Sequence, residues 1–177
     1  NINSPRDAIR HGMGFITEDR KQTGFVWVQS IRENLTLACL NKVSAHGFIQ
    51  KKAEKALAEQ MSGRLEIKAP SIETMIVNLS GGNQQKVVVG KWLAADCDVY
   101  IFDEPTKGVD VGAKTDIFRL IGEIAAAGKC ALYISSETDE ILSITDRVYV
   151  MFDGKVTAEL ETAKTNEDEI MFYSTGG

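Results

Sequence analysis

The chain has 177 residues, enough to bury a sizeable core as one domain with a subdomain. Its 20 Lys and Arg against 25 Asp and Glu leave a net charge of −5, which gives no electrostatic basis for nucleic-acid binding. No apolar run approaches the ~18 residues of a membrane span, and Cys39, Cys97 and Cys130 lack metal-ligand spacing, so they read as reduced thiols used as small buried residues.

In chain order, residues 13–16 form a short apolar, strand-like run that leads into the charged segment 17–23, whose plain reading is a solvated loop. Residues 31–95 read as mainly helical. Helices over 33–40 and over the Ala- and Lys-rich 51–61 are separated by turn-prone 44–47, and Pro70-Ser71 breaks the chain. Lys52, Glu54, Lys55 and Glu59 read as a solvated helix face.

The stretch 83–95 has helical periodicity, with Val88 and Trp92, and Val89 and Leu93, four residues apart. Ser80, Gly81 and Gly82 therefore stand at a helix N-terminus, where unpaired N–H groups and the helix dipole favour an anion and glycine admits a phosphate to the backbone. A flexible turn is the alternative. Residues 98–102 then read as a buried strand ending in Asp103, Glu104 and Pro105. Carboxylates at that end of a strand lie where open α/β sheets bind ligands; Asp103 suits magnesium, and Glu104 suits polarising water or accepting its proton. An acidic turn is the bland alternative.

Beyond it, 113–127 places Ile117, Leu120, Ile121 and Ile124 on one helical face, with Gly128 as the stop. Residues 130–135 read as another buried strand. Ser136 can cap the next helix, with Asp139 in a capping-box-like position. Strands over 147–152 and 155–160 flank the hairpin turn Asp153-Gly154, and Thr165 is the expected cap of a short helix over 166–173. The order is that of an α/β fold with a mixed sheet.

The ordered set Leu79-Ser80-Gly81-Gly82-Asn83-Gln84-Gln85, Tyr100-Ile101-Phe102-Asp103-Glu104 and Val109-Asp110 resembles the signature motif, Walker B strand and D-loop of the ATP-binding subunits of ABC transporters. Thr17-Glu18-Asp19-Arg20-Lys21, the D-E-P-T-K-G-V-D-V-G-A-K run over 103–114, Ile134-Ser135-Ser136-Glu137 and the terminal Thr175-Gly176-Gly177 look more narrowly like the second cassette of bacterial ribose, xylose, arabinose and galactose importers. The resemblance implies a P-loop NTPase, RecA-like ABC cassette, with 1–18 ending the N-terminal core, 19–95 a helical subdomain and 96–177 the rest of the core. It also implies ATP and Mg²⁺ as ligands, transmembrane sugar permease subunits and a second cassette as partners, and, indirectly, a periplasmic or extracellular sugar-binding protein. The location implied is the cytoplasmic face of the cell membrane. By this resemblance Ser80, Gly81, Gly82, Asn83, Gln84 and Asp110 serve nucleotide, the glycines acting in trans on ATP held by the partner cassette. Glu104 and Ser136 are then catalytic, Asp103 and Glu18 meet the metal, and Glu18 also serves ATP.

Three positions depart from the family pattern. Glu18 and Asn83 stand where glutamine is usual, and Ser136 stands where a histidine contacts the terminal phosphate. Serine can donate one hydrogen bond but cannot carry a positive charge. No G-x-x-x-x-G-K-[ST] loop occurs in the chain. The family precedent puts that loop upstream of Asn1, so the chain is expected to be the C-terminal part of a cassette that alone binds ATP poorly and hydrolyses it negligibly. A soluble ABC ATPase without a permease, and a non-catalytic regulatory or interaction domain, are the alternative functions.

Overall fold

In the computed structural model, which describes residues 2–177, the chain begins with helix α1 (Pro5–Arg10), strand β1 (Met13–Ile16) and one π-helical turn, Arg20–Gly24. Helix α2 (Ile31–Thr36) runs on into a 3₁₀ segment (Leu37–Lys42), followed by the small hairpin β2 (Ser44–Ala45) and β3 (Phe48–Ile49) and by α3 (Lys51–Arg64). Then come α4 (Gly81–Ala95), β4 (Val99–Asp103), α5 (Val111–Ala126) and β5 (Cys130–Ile134). The chain closes with α6 (Thr138–Ile144), the hairpin β6 (Arg147–Phe152) and β7 (Lys155–Glu161), and α7 (Glu167–Ser174). Contacts separate two compact units, one reaching to Leu132 and the other Tyr133–Gly177. Among the described residues, no helix is long and apolar enough to cross a membrane.

β4 lies between β1 and β5 and pairs with β1 in parallel, from Met13 opposite Val99 to Ile16 opposite Phe102. Its central place buries Tyr100 and Phe102, as the apolar run predicts. β5 forms where expected but is not a buried strand. At the sheet edge Leu132 is 49% and Ile134 44% exposed, and Cys130 is exposed too, against the expectation of three buried thiols. Cys39 and Cys97 are buried, and burial pushes their thiols up, that of Cys97 to about 11.

Between the β1 and β4 segments the helical expectation needs correction. α2 starts on a capping box: Ser30 Oγ accepts from Glu33 N–H, and the Glu33 carboxylate accepts from Ser30 N–H. It stops at Thr36, four residues earlier than its apolar pattern suggests, because the chain tightens into a 3₁₀ turn that kinks at Cys39. Glu54, expected on a solvated face, is only 3% exposed. α3 packs this face on α2, where Arg32 pairs with the Glu54 carboxylate and Thr36 Oγ1 donates to it at 3.2 Å. Arg32 also reaches Glu73 at 2.9 Å, tying the loop before α4 into the same network. Lys55 and Glu59, 3.7 Å apart, do lie on an open face.

α4 is the most enclosed helix. Ser80 caps it, Asp96 ends it in the left-handed conformation, and the Lys42 ammonium donates to the Ala94 and Ala95 carbonyls at 3.0 and 2.9 Å, opposing the negative helix end. It packs against α2, α3, α5 and β1, which buries Val87, Val88 and Val89 together with the stems of Lys86 and Lys91. Lys86 meets Asp116 of α5 at 2.6 Å, and Lys91 donates to the Gly24 carbonyl at 2.7 Å.

In the second unit Val148, Val150 and Ile170 make a small core with Ile141, Leu142, Ala158, Leu160 and Tyr173 around it. β6 and β7 pair with each other in antiparallel register, and Asp153 and Gly154 both take positive φ, 47° and 74°, as a tight hairpin turn requires. Two expected caps are corrected. Ser136 does not cap α6; Glu137 occupies that position without a side-chain bond, while Ser135 Oγ accepts from Glu137 N–H at 3.0 Å. The cause is Glu140, a buried carboxylate that takes the hydroxyls of Tyr133 and Ser135 and draws the turn inward. Asn166 rather than Thr165 caps α7, accepting from Glu169 N–H at 3.0 Å, while Thr165 Oγ1 donates to the Glu169 carboxylate at 2.7 Å.

Replacing Arg32 with Met leaves Glu54 buried without its counter-charge. Because Arg32 is 22% exposed, the expected cost is about 2–3 kcal/mol, below the usual loss for a fully buried pair, and the double variant Arg32→Met/Glu54→Leu should recover at least half of it in urea melts.

Candidate functional site

Three segments that the sequence singled out meet in the first unit. The π-helical turn begins at Asp19, whose Oδ1 accepts from the N–H groups of Lys21 and Gln22, both at 3.1 Å. Just before it the Glu18 carboxylate pairs with Lys107 Nζ at 2.6 Å, which raises the Lys107 ammonium above its ordinary range. Arg20 reaches the same turn, donating from Nη1 to the Lys107 carbonyl at 2.8 Å and from Nη2 to the Gly108 carbonyl at 3.1 Å. Partial burial lowers the Arg20 guanidinium. A shallow pocket is lined by Glu18, Asp19, Arg20, Lys21 and Lys107.

The third segment is the start of α4. Ser80 Oγ faces the first turn, and Asn83 bridges outward, its Nδ2 donating to Ser80 Oγ at 3.0 Å and its Oδ1 accepting from Lys68 N–H at 2.8 Å. Gln84 turns inward and donates to the Ile76 carbonyl at 3.3 Å. Packing alone requires glycine at 82, and a side chain at 81 would have to displace the end of Arg20. A Cβ at Gly82 would come within 2.7 Å of Ala113 Cβ, and one at Gly81 within 2.8 Å of Arg20 Nη2 and 3.3 Å of the Gly108 carbonyl. Asp110 caps α5, accepting from Ala113 N–H at 3.0 Å, and this hydrogen bond lowers its carboxyl below the ordinary aspartate range.

Asp103 closes β4, and Glu104 follows with φ of 44°, a left-handed conformation that costs a β-carbon-bearing residue about 1–2 kcal/mol. The Lys107 N–H donates to the Glu104 carbonyl at 3.1 Å and closes the turn. Thus Glu18, the start of the Leu79–Gln85 run and the turn after Asp103-Glu104 share one neighbourhood, while Ser136 belongs to the other compact unit. The helix N-terminus at Ser80 and Gly81 can receive an anion, and Asp103 with Glu104 places two acids at the end of the central strand.

Residues 2–107 match the ABC transporter family. The chain belongs to this family. It is 49% identical over 99% of its length to the ribose import ATP-binding protein RbsA of Hahella chejuensis, and 43% identical over 99% to the xylose import ATP-binding protein XylG of Thermoanaerobacter pseudethanolicus. It spans about a third of each, 35% in both cases. An ATP-binding cassette solved as a dimer in a post-hydrolysis state with ADP and Pi superposes with a TM-score of 0.77 at 19% identity, covering 92% of this chain and 68% of that one. The fold is therefore that of an ABC ATPase cassette, although among the described residues β6 and β7 pair only with each other and do not join β1, β4 and β5 in the one mixed sheet that the element order suggests.

In this ABC cassette chain, sequence reasoning passed over three cations. Arg20 and Lys107 lay inside quoted motifs without a role, and only the fold shows them bridging two loops. Lys91 has no place in any motif, yet burial lowers it to about 8 while its ammonium donates to Gly24 and lies 5.1 Å from the Trp92 ring centre. The signal available was its place in the apolar stretch from Val87 to Leu93.

Gly82→Ala should destabilise the cassette by about 1–3 kcal/mol through the contact with Ala113, as read by urea melts. For Lys91 the folded value of about 8 lies below the unfolded 10.5, so between these pH values the unfolded state holds the extra proton. Stability relative to Lys91→Met should therefore rise with pH across that window, by at most ~3 kcal/mol, and be flat below it.

Proposed function

We propose that this chain is part of the second nucleotide-binding cassette of a longer ATPase that energises carbohydrate import. The observation that carries the catalytic reading is Glu104: a strained left-handed glutamate directly after Asp103 at the C-terminal end of the central strand. The match of 99% of the chain to about a third of ribose and xylose import proteins, 35% in both cases, supports sugar as the cargo class.

In this reading Glu104 orients and polarises the attacking water, and Asp103 would hold the metal. The donor set fits magnesium, which wants only one or two protein carboxylates. Magnesium bound there with ATP would offset phosphate charge. Glu18 can join it by giving up Lys107. Ser80, Gly81 and Gly82 offer N–H groups to ATP held by a partner cassette, and Asp110 sets the α5 cap beside them. Asn83 and Gln84 support the nucleotide through the turn they hold, since their amides bond to Ser80, Lys68 and Ile76. Transmembrane permease subunits, and through them an extracytoplasmic sugar-binding protein, complete the machine at the inner face of the membrane.

In the full-length protein Glu104→Gln should lower ATP turnover by ~10²-fold or more while leaving nucleotide binding intact. Turnover unchanged in that variant would remove Glu104 from the reaction. Copurification with a membrane permease separates the importer from a soluble ABC ATPase.

A further inference from the structure

We propose that Arg20 is a positioning residue that locks the Ser80-Gly81-Gly82 turn to the Lys107-Gly108 turn, so that the loop carrying Glu18 sets the surface offered to the partner's nucleotide. The inference rests on the two-cassette ATPase reading above.

The guanidinium forks onto two consecutive carbonyls, Lys107 at 2.8 Å and Gly108 at 3.1 Å, with a separate nitrogen of its rigid plane for each, which fixes the orientation of the group as a single ammonium nitrogen would not. Gly81 lies directly against this fork. A side chain there would stand 2.8 Å from Nη2, so the glycine leaves the guanidinium its place as well as opening the helix end.

The same π-helical turn is fastened to α4 a second time. Its last residue, Gly24, accepts from Lys91 at 2.7 Å and lies against Val88, with 3.1 Å between a built Cβ and Val88 Cγ2. Gly81, Val88 and Lys91 thus hold the turn from Arg20 to Gly24 along one helix. Glu18 precedes this turn and grips Lys107 at 2.6 Å. The loop that faces this cassette's own nucleotide and the turn that faces the partner's are therefore joined through one side chain.

The test uses the full-length ATPase with its permease in lipid vesicles, comparing wild type with Arg20→Lys and Arg20→Ala. Both variants should lose kcat by ~10-fold or more while KM for ATP stays within about twofold, because a small misplacement of the signature turn affects the closed state and not the initial capture of nucleotide. Amide hydrogen exchange should speed up in peptides covering 80–83 and 107–109 and stay unchanged over 117–124. Arg20→Lys with kcat within about twofold of wild type overturns the proposal. So does faster exchange spread evenly over the whole first unit, which would mark Arg20 as a stabilising residue only. If wild type itself shows no turnover dependent on Glu104, the ATPase reading fails, and the exchange pattern still reports whether Arg20 locks the two turns.

Discussion

Enclosure of helix α4 is the constraint on which the rest of the first unit depends. A helix that buries Val87, Val88 and Val89 and also sinks two lysine stems must find partners for both ammonium groups, and it does so in different directions. Lys86 binds Asp116 and fastens α5; Lys91 binds the Gly24 carbonyl and fastens the π-helical turn. Lone buried charges are expensive, so each partner segment is drawn to a definite place on the helix. The N-terminal end of α4 is thereby set against the loops that carry Glu18 and Lys107.

The glycines at that end answer to two requirements. Phosphate approach asks for an open helix N-terminus, and the packing of Ala113 and Arg20 asks for the absence of side chains at the same residues. Either demand alone explains glycine at 82. Because both fall on one turn, a substitution there alters the ligand surface and the packing beneath it together.

Charge in the site follows the same economy. Lys107 balances Glu18, Asp110 spends its carboxylate on the N-terminus of α5, and Arg20 gives its fork to backbone carbonyls. Each of these groups is tied to a neighbouring segment, which makes the surface a set of loops held in mutual register. Glu104 adds a strained backbone at the strand end, a conformation that persists because β4 on one side and the turn closed by Lys107 N–H on the other over-determine it.

Sequence by itself determined whatever depends on neighbours along the chain. The strands at 13–16 and 147–152, the amphipathic α5 with Ile117, Leu120, Ile121 and Ile124, the Asp153-Gly154 turn and the helix opened by Ser80 follow from local periodicity and turn chemistry. So did the family, because its motifs are short and ordered. Tertiary structure decided what depends on contacts across the chain. Glu54 is buried because Arg32, 22 residues away, neutralises it, and the α6 cap moved because Glu140 drew Ser135 and Tyr133 inward. Arg20 gained its place from carbonyls 87 and 88 residues distant. A charged side chain carries no mark of its eventual partner in its own segment; only the folded chain brings the two within hydrogen-bonding distance and settles which charges face water.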